Sequence, residues 1–162
     1  MTYQAKVLTV SDSVIRGERQ DEGGPAVVEA LKAAGFEVVE VGQVADGVAS
    51  VAGDLTRMAG AFCGLVVTTG GTGFGPRDLT PEGTAEVVER LAPGLAETMR
   101  RSSPLAPLSR GIAGVRGRAL VINLPGSPKG ALECLEAVVD LLPHAIDLLM
   151  GEQPHWGVGR NR

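Results

Sequence analysis

Apolar residues recur along the chain with two different periods. Val7-Leu8-Thr9-Val10 runs into polar Ser11-Asp12-Ser13 and predicts a first strand over 6–10. Phe36, Val38, Val39, Val41 and Val44 alternate well enough for a second strand over 36–44. Leu65-Val66-Val67 is an unbroken apolar run, and Arg118 to Leu124 is apolar apart from Arg118 and Asn123, the pattern of strands buried on both faces of a parallel sheet. The stretches between them carry helical spacing. Val27, Val28 and Leu31 follow Gly24-Pro25, with Pro25 expected at the first helical position and Gly35 as the stop. Val48, Val51, Leu55 and Met58 share one face, and the simplest structural reading of Asp46 is the N-cap of that helix. Thr80-Pro81 supplies a capping hydroxyl and an N1 proline for a helix over 81–91, and a short one follows over 95–101. Leu132, Leu135, Val138, Val139 and Leu142 line a further helix, which Pro143 kinks or divides before Ile146 to Met150.

Two segments lack either period. The polar, glycine-punctuated run 14–24 reads as a loop. Ser102 to Arg118 is rich in Ser, Pro, Gly and Arg, and reads as a functional loop with a short strand near 112–115. Strands alternating with helices in this order predict an α/β fold: a single three-layer domain over 1–151, its mostly parallel sheet flanked by helices. Residues 152–162 read as a polar C-terminal tail.

Composition narrows the classes of partner. A net charge of −4 provides no basic footprint for nucleic acid, and 3% aromatic residues leave few stacking platforms for single strands. No apolar run reaches the ~18 residues of a membrane span. Cys63 and Cys134 form no CxxC pair, and the N-terminus has no apolar leader core. Reduced thiols and a cytoplasmic location are therefore expected.

The candidate chemistry centres on the stretch from Leu65 to Glu82, a strand followed by Gly70-Gly71-Thr72-Gly73-Phe74-Gly75 and then Asp78. Four glycines in six residues let backbone N–H groups approach a ligand closely. The loop is not a Walker A motif, because Pro76-Arg77-Asp78 stands where a lysine and hydroxyl are needed. It is not a dinucleotide fingerprint either, since the spacing is wrong and it follows the third strand. No GxSxG elbow is present, and neither His144 nor His155 has triad or metal-ligand spacing. What remains is a repeated design, with Thr80-Pro81 and Ser127-Pro128 opening helices after glycine-bearing turns and Gly24-Pro25 a third start without the hydroxyl. Helix N-termini at the carboxyl edge of a sheet favour anions. Asp12, Asp21, Asp46 and Asp78 lie in the adjacent loops, and carboxylates beside phosphates call for a divalent cation between them. The combination points to a polyphosphate site that uses Mg²⁺.

Thr9-Val10-Ser11-Asp12 with Gly17 and Asp21, Thr68 to Gly73 with Arg77-Asp78-Leu79-Thr80-Pro81-Glu82, Ser109-Arg110, and Asn123 to Lys129 together resemble the MogA/MoaB family of molybdenum cofactor biosynthesis. The gephyrin G domain belongs to the same family. The resemblance runs in order through nearly the whole chain. It implies a molybdopterin-binding α/β domain, usually trimeric, that uses ATP to adenylylate molybdopterin and releases pyrophosphate ahead of molybdate insertion. A contact with the molybdate-insertion protein is implied as well. The two important aspartates of the family fall at Asp46 and Asp78, which would act in catalysis and hold Mg²⁺. Ser11, Asp12, Asp21, Gly70, Gly71, Thr72, Gly73, Thr80, Ser109, Pro125, Gly126 and Ser127 are the implied substrate and nucleotide contacts, with Ser103 added by a looser alignment through Pro93-Gly94. Gly23 stands where the family often has serine, and Ala45-Asp46-Gly47 where it often has Pro-Asp-Glu. A molybdopterin-binding scaffold without adenylyl transfer is the alternative, and a nucleic-acid regulator a distant third.

Overall fold

The computed structural model describes residues 2–152. Six strands form one sheet: β1 (Tyr3–Val10), β2 (Phe36–Val44), β3 (Cys63–Thr69), β4 (Arg90–Leu91), β5 (Ala113–Arg116) and β6 (Arg118–Leu124). Their spatial order is β2-β1-β3-β6-β5-β4. The first four run parallel, and β5 and β4 extend the sheet antiparallel. Seven helices accompany them: α1 (Asp12–Ile15), α2 (Gly23–Ala33), α3 (Val48–Ala59), α4 (Thr80–Val87), α5 (Pro93–Met99), α6 (Pro128–Val138) and α7 (Leu142–Leu149).

The period of two along each strand divides the core between two faces. Ala5, Val7, Leu65, Val67, Leu120 and Ile122 pack with α2, α6 and α7 and with Met99 of α5. Leu8, Val10, Val66 and Val121 pack with Val51, Leu55 and Met58 of α3 and Val87 of α4. Helices therefore cover both faces, which is the three-layer arrangement expected. Each fully buried large aliphatic side chain contributes roughly 1.5–3 kcal/mol relative to exposure.

Several local expectations change. The stretch read as a loop after β1 opens with α1, because Ser11 caps it by accepting the Val14 N–H at 3.3 Å. Helix α2 begins at Gly23, so Pro25 is its third residue rather than its first. Its missing N–H still falls among the four that have no intrahelical acceptor. Asp46 does not cap α3: that place belongs to Gly47, at φ +124°, and the Ser50 hydroxyl donates to the Ala45 and Asp46 carbonyls instead. Thr80 is the first residue of α4 rather than its cap, with Pro81 second. Helix α4 ends at Val87, because the chain becomes extended at Val88 and pairs Arg90 with Val115. Val88 and Leu91 suit either period, which is why the apolar pattern extends the helix too far. Pro143 divides α6 from α7 through a short 3-10 turn over Val139–Leu141. Of the tail expected over 152–162, only Glu152 is among the described residues.

From β1 the chain passes through α2 to β2 on one side, and through α3 it returns to place β3 on the other. The strand order thus reverses between β1 and β3, where open α/β sheets form ligand crevices at their carboxyl ends. The loops after β1 and β3 meet there. The loop after β6 joins them, tied by the Thr69 hydroxyl donating to the Pro125 carbonyl at 2.8 Å and the Gly70 N–H donating to the Leu124 carbonyl at 3.1 Å.

Candidate active site

A cleft of about 1000 Å³ opens at this edge, at the upper end of the range for small-molecule sites. Its floor is the glycine loop after β3. Gly70 (φ +104°) and Gly71 (φ +66°) adopt backbone that side-chain-bearing residues rarely take. A Cβ would stand 2.2 Å from the Val10 carbonyl oxygen at Gly70, and 2.2 Å from the Thr80 hydroxyl at Gly71. Both positions therefore require glycine.

Four successive carbonyls of this loop are held by the protein body. Gly70 O accepts the Thr80 hydroxyl at 2.9 Å, and Gly71 O accepts the Thr80 N–H at 3.0 Å. Thr72 O accepts the Arg110 N–H at 2.8 Å, and Gly73 O accepts Arg110 Nε–H at 2.8 Å. In a planar trans peptide the N–H points opposite to the C=O. The N–H groups of Gly71, Thr72, Gly73 and Phe74 consequently face away from Thr80 and Arg110, and they donate to nothing among the described residues. Such a row of unpaired donors, in a loop whose Gly70 to Gly73 line the cleft, has the chemistry to accept anionic oxygens.

A buried hydrogen-bond chain supports the loop from below. Asn123 on β6 donates through Nδ2 to the Thr68 and Thr84 hydroxyls, each at 2.9 Å, and accepts the Ile112 N–H at 3.1 Å. The Thr84 hydroxyl donates in turn to the Thr80 carbonyl at 2.8 Å. Thr68, Thr80 and Thr84 are wholly buried, so these groups depend on one another.

Four carboxylates line the cleft, those of Glu22, Asp46, Asp78 and Glu133, and two of them lie against the glycine loop. Asp46 Oδ1 lies 3.0 Å from where a Gly71 Cβ would be. Asp78 Oδ2 lies 3.0 Å from the equivalent point at Gly73 and accepts the Gly75 N–H at 2.9 Å. Asp46 and Asp12 clasp each other's backbone: the Asp12 N–H donates to Asp46 Oδ2 at 2.8 Å, and the Asp46 N–H donates to Asp12 Oδ1 at 3.1 Å. Arg77 bridges both Asp12 oxygens at 3.0 and 3.2 Å and donates to the Asp46 carbonyl at 2.8 Å. That guanidinium holds the Asp12 carboxyl below its ordinary range. Burial pushes the Asp46 carboxyl up, and the charges of Asp12 and Asp78 add to this, against the opposing pull of the Asp12 N–H and Arg77. The arrangement thus neutralises Asp12 and leaves Asp46 as a strained negative charge beside the glycine loop.

The remaining sequence-predicted residues divide by position. Ser11, Ser103, Ser109, Pro125, Gly126 and Ser127 line the cleft. Ser127 caps α6 by accepting the Gly130 N–H at 3.1 Å. Asp12, Asp21 and Thr80 do not line it. Asp21 accepts the Gly24 N–H at 2.9 Å at the start of α2 and is reached by Gln43 Nε2 at 3.2 Å. Thr80 works from beneath the loop. Arg77, Arg110, Thr84 and Asn123 hold the backbone and side chains of the site, and sequence reasoning gives none of them that role. Their only signal is their presence in or beside the same motifs, since nothing in spacing shows which carbonyl an arginine will reach.

Comparison with known proteins gives one consistent result. Residues 6–144 match the family described as "Probable molybdopterin binding domain". A molybdopterin adenylyltransferase from Helicobacter pylori strain J99 is 42% identical over 157 residues, covering 93% of this chain and 89% of that protein. The molybdopterin adenylyltransferase of Escherichia coli K12 is 38% identical over 170 residues, covering 93% and 87%. Among solved structures, the molybdopterin biosynthesis enzyme MoaB from Thermus thermophilus superposes with a TM-score of 0.88 at 49% identity, covering 93% of this chain and 98% of that one.

Proposed function

The chain belongs to the molybdopterin-binding domain family of molybdenum cofactor biosynthesis, and from that premise we propose that it is a molybdopterin adenylyltransferase. A phosphate oxygen of molybdopterin attacks the α-phosphorus of ATP, forming a new P–O bond. The bond to the bridging oxygen breaks, and pyrophosphate leaves with the electron pair. The observation that carries this reading is the row of unpaired N–H groups from Gly71 to Phe74, beside two cleft carboxylates.

The residues of the chain would act chiefly by positioning and charge. The glycine-loop N–H groups receive phosphate oxygens and hold them in line. Ser127 and the start of α6 receive a second anionic or polar group across the cleft. A phosphate monoester is already largely ionised at neutral pH, so the nucleophile needs no strong general base. Asp46 and Asp78 are accordingly assigned to orientation and metal holding rather than to proton abstraction.

No group of three or more His, Cys, Asp or Glu among the described residues could enclose a metal by itself. Mg²⁺ is commonly held by one or two carboxylates, with water and substrate phosphates completing its shell. Asp46 and Asp78 fit that partial set, as the two carboxylates that lie against the glycine loop on the cleft wall. When bound there, Mg²⁺ supplies neutralisation of the phosphate charge. We assign the enzyme to the cytoplasm as a homotrimer that passes its product to the molybdate-insertion protein; light scattering checks the assembly.

The deciding assay mixes purified protein, ATP, Mg²⁺ and molybdopterin and follows pyrophosphate and the adenylylated product. Binding of molybdopterin without product would make the protein a scaffold and overturn the enzyme reading. Asp78→Asn is expected to keep its fold and pterin affinity while turnover falls about 100-fold, on the scale of losing one key electrostatic group. An unchanged rate would remove Asp78 from the site.

A further inference from the structure

Arg110 stands outside the cleft wall, yet four groups of the glycine loop and of α4 converge on it. Its N–H takes the Thr72 carbonyl, its Nε–H the Gly73 carbonyl at 2.8 Å, one terminal nitrogen the Asp78 carbonyl, and the other the Glu82 carboxylate. The side chain is two-thirds covered. One planar guanidinium therefore grips both ends of the loop that bears Asp78, and Glu82 in the first turn of α4 anchors it from behind. A fork of fixed donors can do this, whereas an ammonium on a flexible stem offers a single point.

The carbonyl that Arg110 Nε–H holds belongs to the same peptide unit as the Phe74 N–H. Turning one fixes the other, because the unit is planar. Released from Arg110, the Gly73–Phe74 peptide can turn about ψ of Gly73, which carries no side chain, and rotate its N–H out of the row. We infer that Arg110 is a positioning residue of the site: its guanidinium sets the direction of the Phe74 N–H and, through the Asp78 carbonyl, the approach of the chain into α4. It acts on bound phosphate through the loop, without touching the ligand. The inference rests on the reading of the glycine loop as a phosphate receptor.

The ligand chemistry is a phosphate group, which either ATP or molybdopterin could present. The test therefore measures each affinity alone, by calorimetry, in wild type and Arg110→Lys. The expected result is a Kd raised about tenfold for the ligand whose phosphate the loop holds, with the other unchanged, the scale of removing one charge-assisted hydrogen bond. Amide NMR with inorganic pyrophosphate provides a second readout. The Phe74 amide should respond in wild type and lose its response in Arg110→Lys, while Gly71 and Thr72 keep theirs.

Both affinities within twofold of wild type would overturn the inference. So would an equal loss of both accompanied by a lowered Tm, which is the mark of general damage. Glu82→Gln guards against a variant that fails to fold, since it loosens the anchor and leaves the three carbonyl bonds. It should weaken the same ligand in the same direction by two- to threefold, and no change would also overturn the proposal. These are binding measurements, so wild type that binds both ligands without making product would defeat adenylyl transfer and leave Arg110 standing. Wild type that binds neither phosphate would defeat both.

Discussion

Asp46 illustrates how much a single residue's neighbours decide. Its carboxyl is raised above the ordinary aspartate value by burial and by nearby negative charge. A raised carboxyl pKa means that the fold prefers the protonated form. The associated stability is present below the unfolded value of about 3.9, and is lost as pH rises through the folded one. At neutral pH the ionised Asp46 therefore weakens the fold. Asp46→Asn keeps an oxygen for the Asp12 N–H and removes the charge. Its thermal midpoint should exceed that of wild type at pH 7, and the gap should close below about pH 4. Turnover should collapse in the same variant, and a lowered Tm at pH 7 would contradict the charge argument. Asp12 has the opposite sign. Arg77 depresses its pKa, so its contribution is present above the unfolded value and disappears on acidification. Asp12→Asn should accordingly lower Tm at pH 7. Asp78 stands out in the sequence as an acid following a glycine loop, whereas Asp46 reads there as a helix cap and takes a site role only from the family resemblance. The clasp between Asp46 and Asp12 is not legible there, because it joins residues 34 positions apart through backbone N–H groups that no composition reveals.

At the scale of elements, the four parallel strands follow from periodicity, β2 from its alternation and the others from their apolar runs, and so do the longer helices between them, while the short α1 does not. Terminal turns are harder. The apolar residues at 87, 88 and 91 fit a helix, and the pairing of Glu89 N–H with the Val115 carbonyl and of Ala92 N–H with the Ala113 carbonyl, each at 2.8 Å, decides for an extended chain. The first turn of α4 differs from expectation for a related reason. Thr80 is drawn into the buried network beneath the glycine loop, so its hydroxyl holds Gly70 rather than capping its own helix. That network makes α4, β3 and β6 one unit. Thr84→Val preserves shape but deletes the acceptor for one Asn123 Nδ2 hydrogen. A buried donor left unsatisfied costs about 1–3 kcal/mol. Urea denaturation should report a loss of that size with an unchanged m-value, because the surface exposed on unfolding does not change. A loss under about 0.5 kcal/mol would mean that Asn123 finds another partner.

Across the whole molecule, the cleft is a product of strand order. Loops after β1, β3 and β6 are far apart in sequence, and only the reversal at β1 and β3 brings them together. None of the three walls is complete without the others: Gly70 leans on Val10 behind it and on Leu124 beside it, and Thr69 holds Pro125. A ligand that bridges these walls binds the folded chain and has no counterpart in the unfolded one. Mass action then raises stability by about 2.7 kcal/mol at a ligand concentration of one hundred times Kd. For a domain of this length each kcal/mol moves Tm by roughly 2–4 °C, so saturating ATP with Mg²⁺ should raise it by roughly 5–10 °C. The same addition to Arg110→Lys, at the same concentration, should give a smaller rise if ATP is the ligand whose phosphate the loop holds. Scanning fluorimetry with ATP and Mg²⁺, ATP alone and Mg²⁺ alone separates the contributions. Two cleft carboxylates that share a metal with the nucleotide predict that Mg²⁺ alone does little and that the pair exceeds ATP alone. A full shift with ATP in the presence of a chelator would show that Asp46 and Asp78 serve the site without metal.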